Sequence, residues 1–134
     1  MAVPRTIFRA YDIRGVFGSE LTLETAERVG ATFAAYLASN GASGRICIGR
    51  DARTSSPDLE TAVIAGLRSG GCGVESVGMV PIPVANWWTW RGDFAGGVYI
   101  TASHNPAEYN GIRFRHPDGT GFTEGNAAIR DLFF

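Results

Sequence analysis

Short apolar runs alternate with longer segments of helical periodicity along most of this chain, and that alternation limits the folds open to it. The apolar runs are Ile46-Cys47-Ile48, Gly73 to Val80, Val98-Tyr99-Ile100 and Ile112 to Phe114. Between and after them fall Thr22 to Asn40, Pro57 to Ser69, Val84 to Trp90 and Thr123 to Phe134. Strands separated by helices pair in parallel through right-handed crossovers and bury their faces under helices. The expectation is an α/β fold, a three-layer α/β/α sandwich around a mostly parallel sheet of about four strands. The strand after Asn110-Gly111 follows too closely for a helical crossover and can run antiparallel at one edge, which would make the sheet mixed.

Thr22 to Asn40 is the clearest helix. Ala26, Val29, Gly30, Phe33, Ala34 and Leu37 follow the spacing of one buried face. Thr22 is placed to cap it, Glu24 and Glu27 suit its positive end, and Asn40-Gly41 closes it. Pro57 reads as the first residue of a second helix, capped by Ser55 or Ser56 and stopped by Gly70-Gly71. Thr123 caps the last helix, which turns Ile129, Leu132 and Phe133 to the core. Ahead of all these, Ile7 to Gly15 reads as an edge strand and a turn. Trp87, Trp88 and Trp90 on one short helix read as core or as a contact surface, with a sugar-stacking site as the other reading.

Composition narrows the function classes. The chain has 134 residues, 45% hydrophobic and 19% charged, which suits one globular domain with its own core. A formal charge of −1 and a pI near 6.1 give no reason to expect nucleic acid or an anionic membrane as partner. The twelve basic residues are all arginine. That reads most simply as a compositional bias, with a need for bidentate phosphate partners as the second reading. Cys47 and Cys72 stand in apolar contexts without metal-ligand spacing, as in a reduced cytosolic protein. With no signal-like or membrane-length apolar run, the expected location is cytoplasmic.

The stretch from Gly96 to Phe114 carries the chemistry. An apolar strand ends abruptly in Thr101-Ala102-Ser103-His104-Asn105-Pro106, and the chain is expected to turn again at Asn110-Gly111. Ligands in α/β sheets bind beyond the carboxyl ends of strands, so Ser103 is the first candidate. Serine needs activation to act as a nucleophile. The histidines available are His104 and His116, and His104 is adjacent in sequence, an awkward place for a general base. A nucleophile-elbow pattern is missing. Earlier, Gly49-Arg50-Asp51-Ala52-Arg53-Thr54-Ser55-Ser56-Pro57 opens a helix whose amides, beside Arg50 and Arg53, would suit an anion. On the other reading Arg50, Asp51 and Arg53 pair with one another and support the loops.

Thr101-Ala102-Ser103-His104-Asn105-Pro106, followed by Tyr109-Asn110-Gly111, resembles the phosphoserine loop of the α-D-phosphohexomutases. Phe8-Arg9-Ala10-Tyr11-Asp12-Ile13-Arg14-Gly15 is similar to a second loop of that family. Its wording is nearer the phosphoglucomutase/phosphomannomutase branch than the phosphoglucosamine mutases. Gly49 to Pro57 resembles a third. The resemblance covers nearly all of the chain and corresponds to the family's N-terminal domain, domain I.

It implies that Ser103 is carried as a phosphoserine that gives its phosphoryl group to a hexose monophosphate. The bisphosphate formed then turns over and returns its other phosphate, which interconverts hexose 1-phosphate and 6-phosphate. His104 and Asn105 would orient the phosphate and the attacking hydroxyl, with Tyr11 and Arg14 lining the substrate cleft. Arg50, Asp51 and Arg53 would support the loop. Arg113 takes a place where the family usually has lysine; it keeps the charge but does not readily give up a proton, so a charge-only role is expected. Mg²⁺ would take one ligand from the phosphate on Ser103. The rest of its site, the Asp-Gly-Asp-Gly-Asp-Arg loop of a second domain, is not in this sequence, nor are the Glu-x-x-Ser-Gly sugar loop of the third domain and the phosphate-docking loop of the fourth. The partners implied are a hexose phosphate and those missing domains, and the chain alone is expected to be inactive. The alternative is a free-standing phosphosugar-binding or regulatory module without turnover.

Overall fold

The computed structural model describes residues 2–134. A single turn of 3-10 helix, Arg5–Ile7, precedes β1 (Ile13–Val16), α1 (Leu23–Ser39), β2 (Arg45–Arg50), α2 (Ser56–Ser69), β3 (Gly73–Met79), α3 (Ile82–Arg91), β4 (Gly96–Ile100), β5 (Tyr109–Arg115) and α4 (Gly125–Phe133). The sheet has five strands in the order β1-β5-β4-β2-β3. β3, β2 and β4 are mutually parallel, and β5 runs antiparallel to both β4 and β1.

The mixed α/β sheet agrees with the sequence reading, with one strand more than expected and β5 inside the sheet rather than at its edge. The edge is β1, the edge strand read between Ile7 and Gly15 but set later, over four residues that begin where the turn was expected. Gly15 lies in the ladder opposite Asn110. Asn110-Gly111 is strand as well, so the turn falls earlier, between Ser103 and Glu108. The reason is packing: a Cβ on Gly111 would lie 2.3 Å from the Ile13 carbonyl oxygen and 2.7 Å from that of Thr101. Glycine here lets three strands approach closely.

α1, α2 and α4 cover one face of the sheet. Phe33, Ile46, Ile48, Leu59, Leu67, Ile100, Ile112, Phe114 and Ile129 meet there in a continuous apolar core. α1 and α2 cross so tightly that a Cβ on Gly66 would stand 1.8 Å from the Glu27 carbonyl oxygen. Thr22 caps α1 as expected, its hydroxyl accepting from the Thr25 amide at 3.1 Å. The other helix starts differ from expectation. Ser55 precedes α2 without bonding a helix amide through its side chain, and α4 starts after Glu124, not Thr123. Ile129 and Phe133 are buried, but Leu132 on α4 is 51% exposed, because its position falls outside the stripe facing the sheet.

The opposite face carries α3 alone, packed over β2 and β4. Trp87, Trp88 and Trp90 on it are each roughly half-exposed, so they are not core. The β1–β5 end of this face has no helix over it and is surfaced instead by Arg14, Arg113 and Arg115. Arg14 lies opposite Gly111, Arg113 opposite Tyr99, and Arg115 opposite Gly97, all on the side that faces α3. Among the described residues no helix is long and apolar enough to cross a membrane. Cys47 is buried and Cys72 half-buried, both free.

Candidate active site

β4 delivers the chain to Ile100 in the centre of the sheet, and the loop that follows is held by its backbone. The Thr101 amide donates to the Gly111 carbonyl at 3.0 Å, and the Thr101 hydroxyl donates to Asp51 Oδ2 at 2.7 Å while accepting from the Ser103 amide at 3.0 Å. Ser103 itself adopts φ 58°, a left-handed conformation uncommon for a residue with a Cβ and costing on the order of 1–3 kcal/mol. Its side chain is exposed, with Oγ 3.4 Å from His104 Nδ1, at the outer limit of a hydrogen bond.

Arg53 is what secures that conformation. Its Nη1 donates to the carbonyls of Pro106 at 2.7 Å and Tyr109 at 3.0 Å, and its Nη2 to those of Ser103 at 3.0 Å and Asn105 at 2.8 Å. The planar fork of a guanidinium reaches four carbonyls on one curved loop, where an ammonium could not. Asp51 pairs with Arg53 Nε at 3.3 Å and accepts from the Ser56 hydroxyl at 2.5 Å. The Ser55 and Ser56 hydroxyls, left over from capping, accept from Asn110 Nδ2 at 2.8 and 3.0 Å. The start of α2, the end of β4 and the start of β5 are thereby joined in one polar network, and its buried members are hydrogen-bonded.

The other expected site residues divide into two groups. Arg14 Nη1 donates to Asn105 Oδ1 at 2.7 Å, bringing β1 to the serine loop. Arg113 stands on the adjoining sheet face, its Nε 3.4 Å from Asp12 Oδ2. Tyr11 is exposed beside that face and lines a pocket with Arg113. Arg50 does not reach the serine loop. Its guanidinium pairs with Glu60, a buried carboxylate on α2 that also accepts from Ser76 on β3.

Several residues of the network were not singled out from sequence. The main one is Asp12, 2% exposed, which takes Arg14 Nε at 2.9 Å while facing Arg113. Thr101, Ser55, Ser56 and Asn110 are the others. An available signal was the carboxylate of Asp12 two residues before Arg14, in a stretch with more cations than anions; the rest needed the topology.

A shallow concavity at the surface is bounded by Asp51, Ala52, Arg53, Ser103, Asn105 and Ala107. Metal-ligating groups are sparse around it. Among the described residues no cluster of three or more His, Cys, Asp and Glu side chains is arranged to hold a metal, and Asp51 is committed to Arg53, Ser56 and Thr101. These residues do not make a Mg²⁺ site by themselves.

Fold and site together define an α/β/α domain that presents one rigidly backed serine hydroxyl beside a guanidinium-rich face. Residues 5–134 match the family model described as "Phosphoglucomutase/phosphomannomutase, alpha/beta/alpha domain I", and the chain belongs to that family. It is 41% identical to a phosphoglucomutase/phosphomannomutase of Thermococcus kodakarensis over 96% of this chain and 28% of that protein. It is 45% identical to a Methanothermobacter thermautotrophicus protein named "Probable phosphoglucosamine mutase", over 87% of this chain and 25% of that one. Both branch names thus occur at similar identity. The crystal structure of a phosphoglucomutase/phosphomannomutase family protein from Burkholderia thailandensis superposes with a TM-score of 0.88 at 30% identity, over 98% of this chain and 30% of that one. The chain therefore spans less than a third of the length of these relatives.

Proposed function

We propose that this chain is the phosphoserine-bearing catalytic domain of a phosphohexomutase acting between hexose 1-phosphate and hexose 6-phosphate through a bisphosphate. The observation that carries the reading is the Ser103 loop. A residue with a strained, left-handed backbone is held from behind by four carbonyl bonds to Arg53, while its hydroxyl is left facing outward. Strain maintained that way is characteristic of functional loops, and phosphoryl transfer depends mainly on positioning and charge.

In the forward half-reaction the bond between phosphorus and Ser103 Oγ breaks as a bond to a sugar hydroxyl oxygen forms. The proton that this hydroxyl gives up is the one that Oγ gains, so the half-reaction is proton-neutral. His104 Nδ1, 3.4 Å from Oγ, orients the phosphate carried there, its contact tightening when the phosphate is in place. Asn105, fixed by Arg14, orients the attacking hydroxyl. Arg14 and Arg113 answer the phosphate charge and Tyr11 lines the cleft. Return of the second phosphate reverses these bond changes. Any Mg²⁺ takes its carboxylate ligands from outside this chain, and the chain alone does not turn over.

The test is made on the gene product purified from its own source. Mass spectrometry is expected to find phosphate on Ser103, and Ser103→Ala is expected to abolish exchange between hexose 1- and 6-phosphates. Phosphate on another residue, or full activity of that variant, would overturn the proposal. Turnover by the purified 134-residue chain, free of host enzyme, would overturn the statement about the isolated domain.

A further inference from the structure

We propose a second anion-binding site at the β1–β5 end of the sheet face that α3 partly covers, in which Arg115 and Arg113 together take a phosphate group. It shares Arg113 and Tyr11 with the cleft of the mutase reading, while Arg115 lies outside that reading, and its test is chosen so that the two can fail separately. Arg113 and Arg115 are two apart on β5 and so project from the same face. With Tyr11, Gly121 and the chain at Phe114 and Phe122 they line a pocket of about 160 Å³. At ~30 Å³ per water, that is room for about five waters, enough for a phosphate group and some of its hydration.

The charge in this pocket is unbalanced. Arg115 makes no ion pair and no side-chain hydrogen bond among the described residues, and its Nε is buried without a partner. The nearby carboxylate, Asp12, is already held by Arg14 at 2.9 Å and faces Arg113 at 3.4 Å without a hydrogen bond. Arg14 and Arg113 therefore share one carboxylate, and Arg115 has none. Burial pushes the Arg115 pKa down, and the like charge of Arg113 pushes it the same way. A dianion between the two forks would supply the missing acceptors and cancel that repulsion, and arginine is the residue best shaped to bind phosphate bidentately.

Gly121 shapes the site. It bridges to Arg115 in a short antiparallel pairing, and a Cβ built on it would lie 2.7 Å from Arg115 Nη1. The guanidinium thus lies over the glycine, and alanine there would displace the end of a flexible side chain without blocking the backbone. Gly121→Ala is accordingly a probe of the site that spares the core.

The experiment follows the arginine Nε–H signals of the ¹⁵N-labelled 134-residue chain by NMR as inorganic phosphate is added at constant ionic strength. Glucose 6-phosphate is the second ligand and sodium chloride the control. The expected result is saturable movement of the Arg113 and Arg115 signals with phosphate and none with chloride. Arg115→Gln and Gly121→Ala are expected to weaken phosphate binding about tenfold, the usual scale for losing one charged hydrogen-bonding partner. Ser103→Ala is expected to leave that binding unchanged, which separates it from the serine loop and from the fate of the mutase proposal. Glucose 6-phosphate binding more tightly than phosphate would mark the site as one for sugar phosphates, and equal affinity as one for the phosphate group alone; either supports it. Non-saturating shifts, equal shifts with chloride, shifts confined to Ser103–Ala107, or binding indifferent to both pocket variants would overturn the proposal.

Discussion

Arg14 and Asn105, 91 positions apart in the chain, meet through a 2.7 Å hydrogen bond from the guanidinium to the amide oxygen. The contact joins the edge strand to the serine loop, and Asp12 fixes the other side of the same guanidinium. The two ends of the contact are expected to differ in worth. Asn105→Ala removes one hydrogen bond from a half-buried group, a loss of about 1 kcal/mol. Arg14→Ala also leaves the buried Asp12 with Arg113 alone, at 3.4 Å and poorly aligned, and should cost on the order of 3 kcal/mol. Urea denaturation of the two variants checks this; equal losses would show that Asp12 does not depend on Arg14.

Arg53 is expected to control the order of the loop more than the stability of the fold. Arg53→Ala strands the four loop carbonyls it bonds, and should cost about 2 kcal/mol, since many of them can turn to water. Amide exchange should rise sharply across residues 103–109 and little in the helices. Arg53→Lys should recover less than half of the protection, because a single ammonium cannot span the four acceptors. Full recovery with lysine would mean that charge alone holds the loop.

The division between what the sequence revealed and what it hid follows from the range of the interactions. Amphipathic α1 and the parallel core strands are encoded within a few residues of themselves, in periodicity, a Thr22 cap and apolar runs. The serine loop was legible for the same reason, as Thr101 to Pro106 is contiguous. An edge strand was legible near the N-terminus but its position was not, because pairing with β5, nearly a hundred residues away, sets it at Ile13–Val16. Asn110-Gly111 looked like a turn because local turn chemistry and close strand packing select the same residues. Leu132 was misplaced because a short helix end leaves the stripe ambiguous by one position. Ser55 and Ser56 are cap-like residues drawn instead to Asp51 and Asn110. Pairings such as Asp12 with two arginines depend on the register of β1 against β5, which no local pattern carries.

Stability should fall on the alkaline side. Burial raises the Cys47 thiol above its usual 9.0, and burial followed by the nearby Asp51 charge raises the Tyr99 phenol above its usual 10.0. In both cases folding favours the neutral form. Their contribution is complete below the unfolded values and is lost as pH rises through 9 to 10 and toward the higher folded values. Urea midpoints measured from pH 7 upward should therefore stay level and then decline from about pH 9. Tyr99→Phe should lower the plateau by about 1 kcal/mol, since the phenol donates to the Val80 carbonyl at 2.6 Å, and should flatten the decline above pH 10. A decline that is unchanged in that variant would assign the effect to other groups.

Arg113 tests whether charge or shape matters on the sheet face that adjoins the serine loop. Its Nε faces Asp12 at 3.4 Å without hydrogen-bond alignment, so the relation is one of charge, which an ammonium can reproduce. In the protein as made by its source, Arg113→Lys is expected to keep mutase activity within a few-fold, and Arg113→Gln to lose about tenfold or more, the scale of one charged contact to phosphate. The pH–rate profile separates the possibilities further. A lysine that only supplies charge leaves the profile where it was, whereas a lysine that takes part in proton transfer adds a new limb. Loss of activity in the lysine variant would instead establish a specific guanidinium contact, and would place the bidentate geometry of Arg113 in the reaction itself.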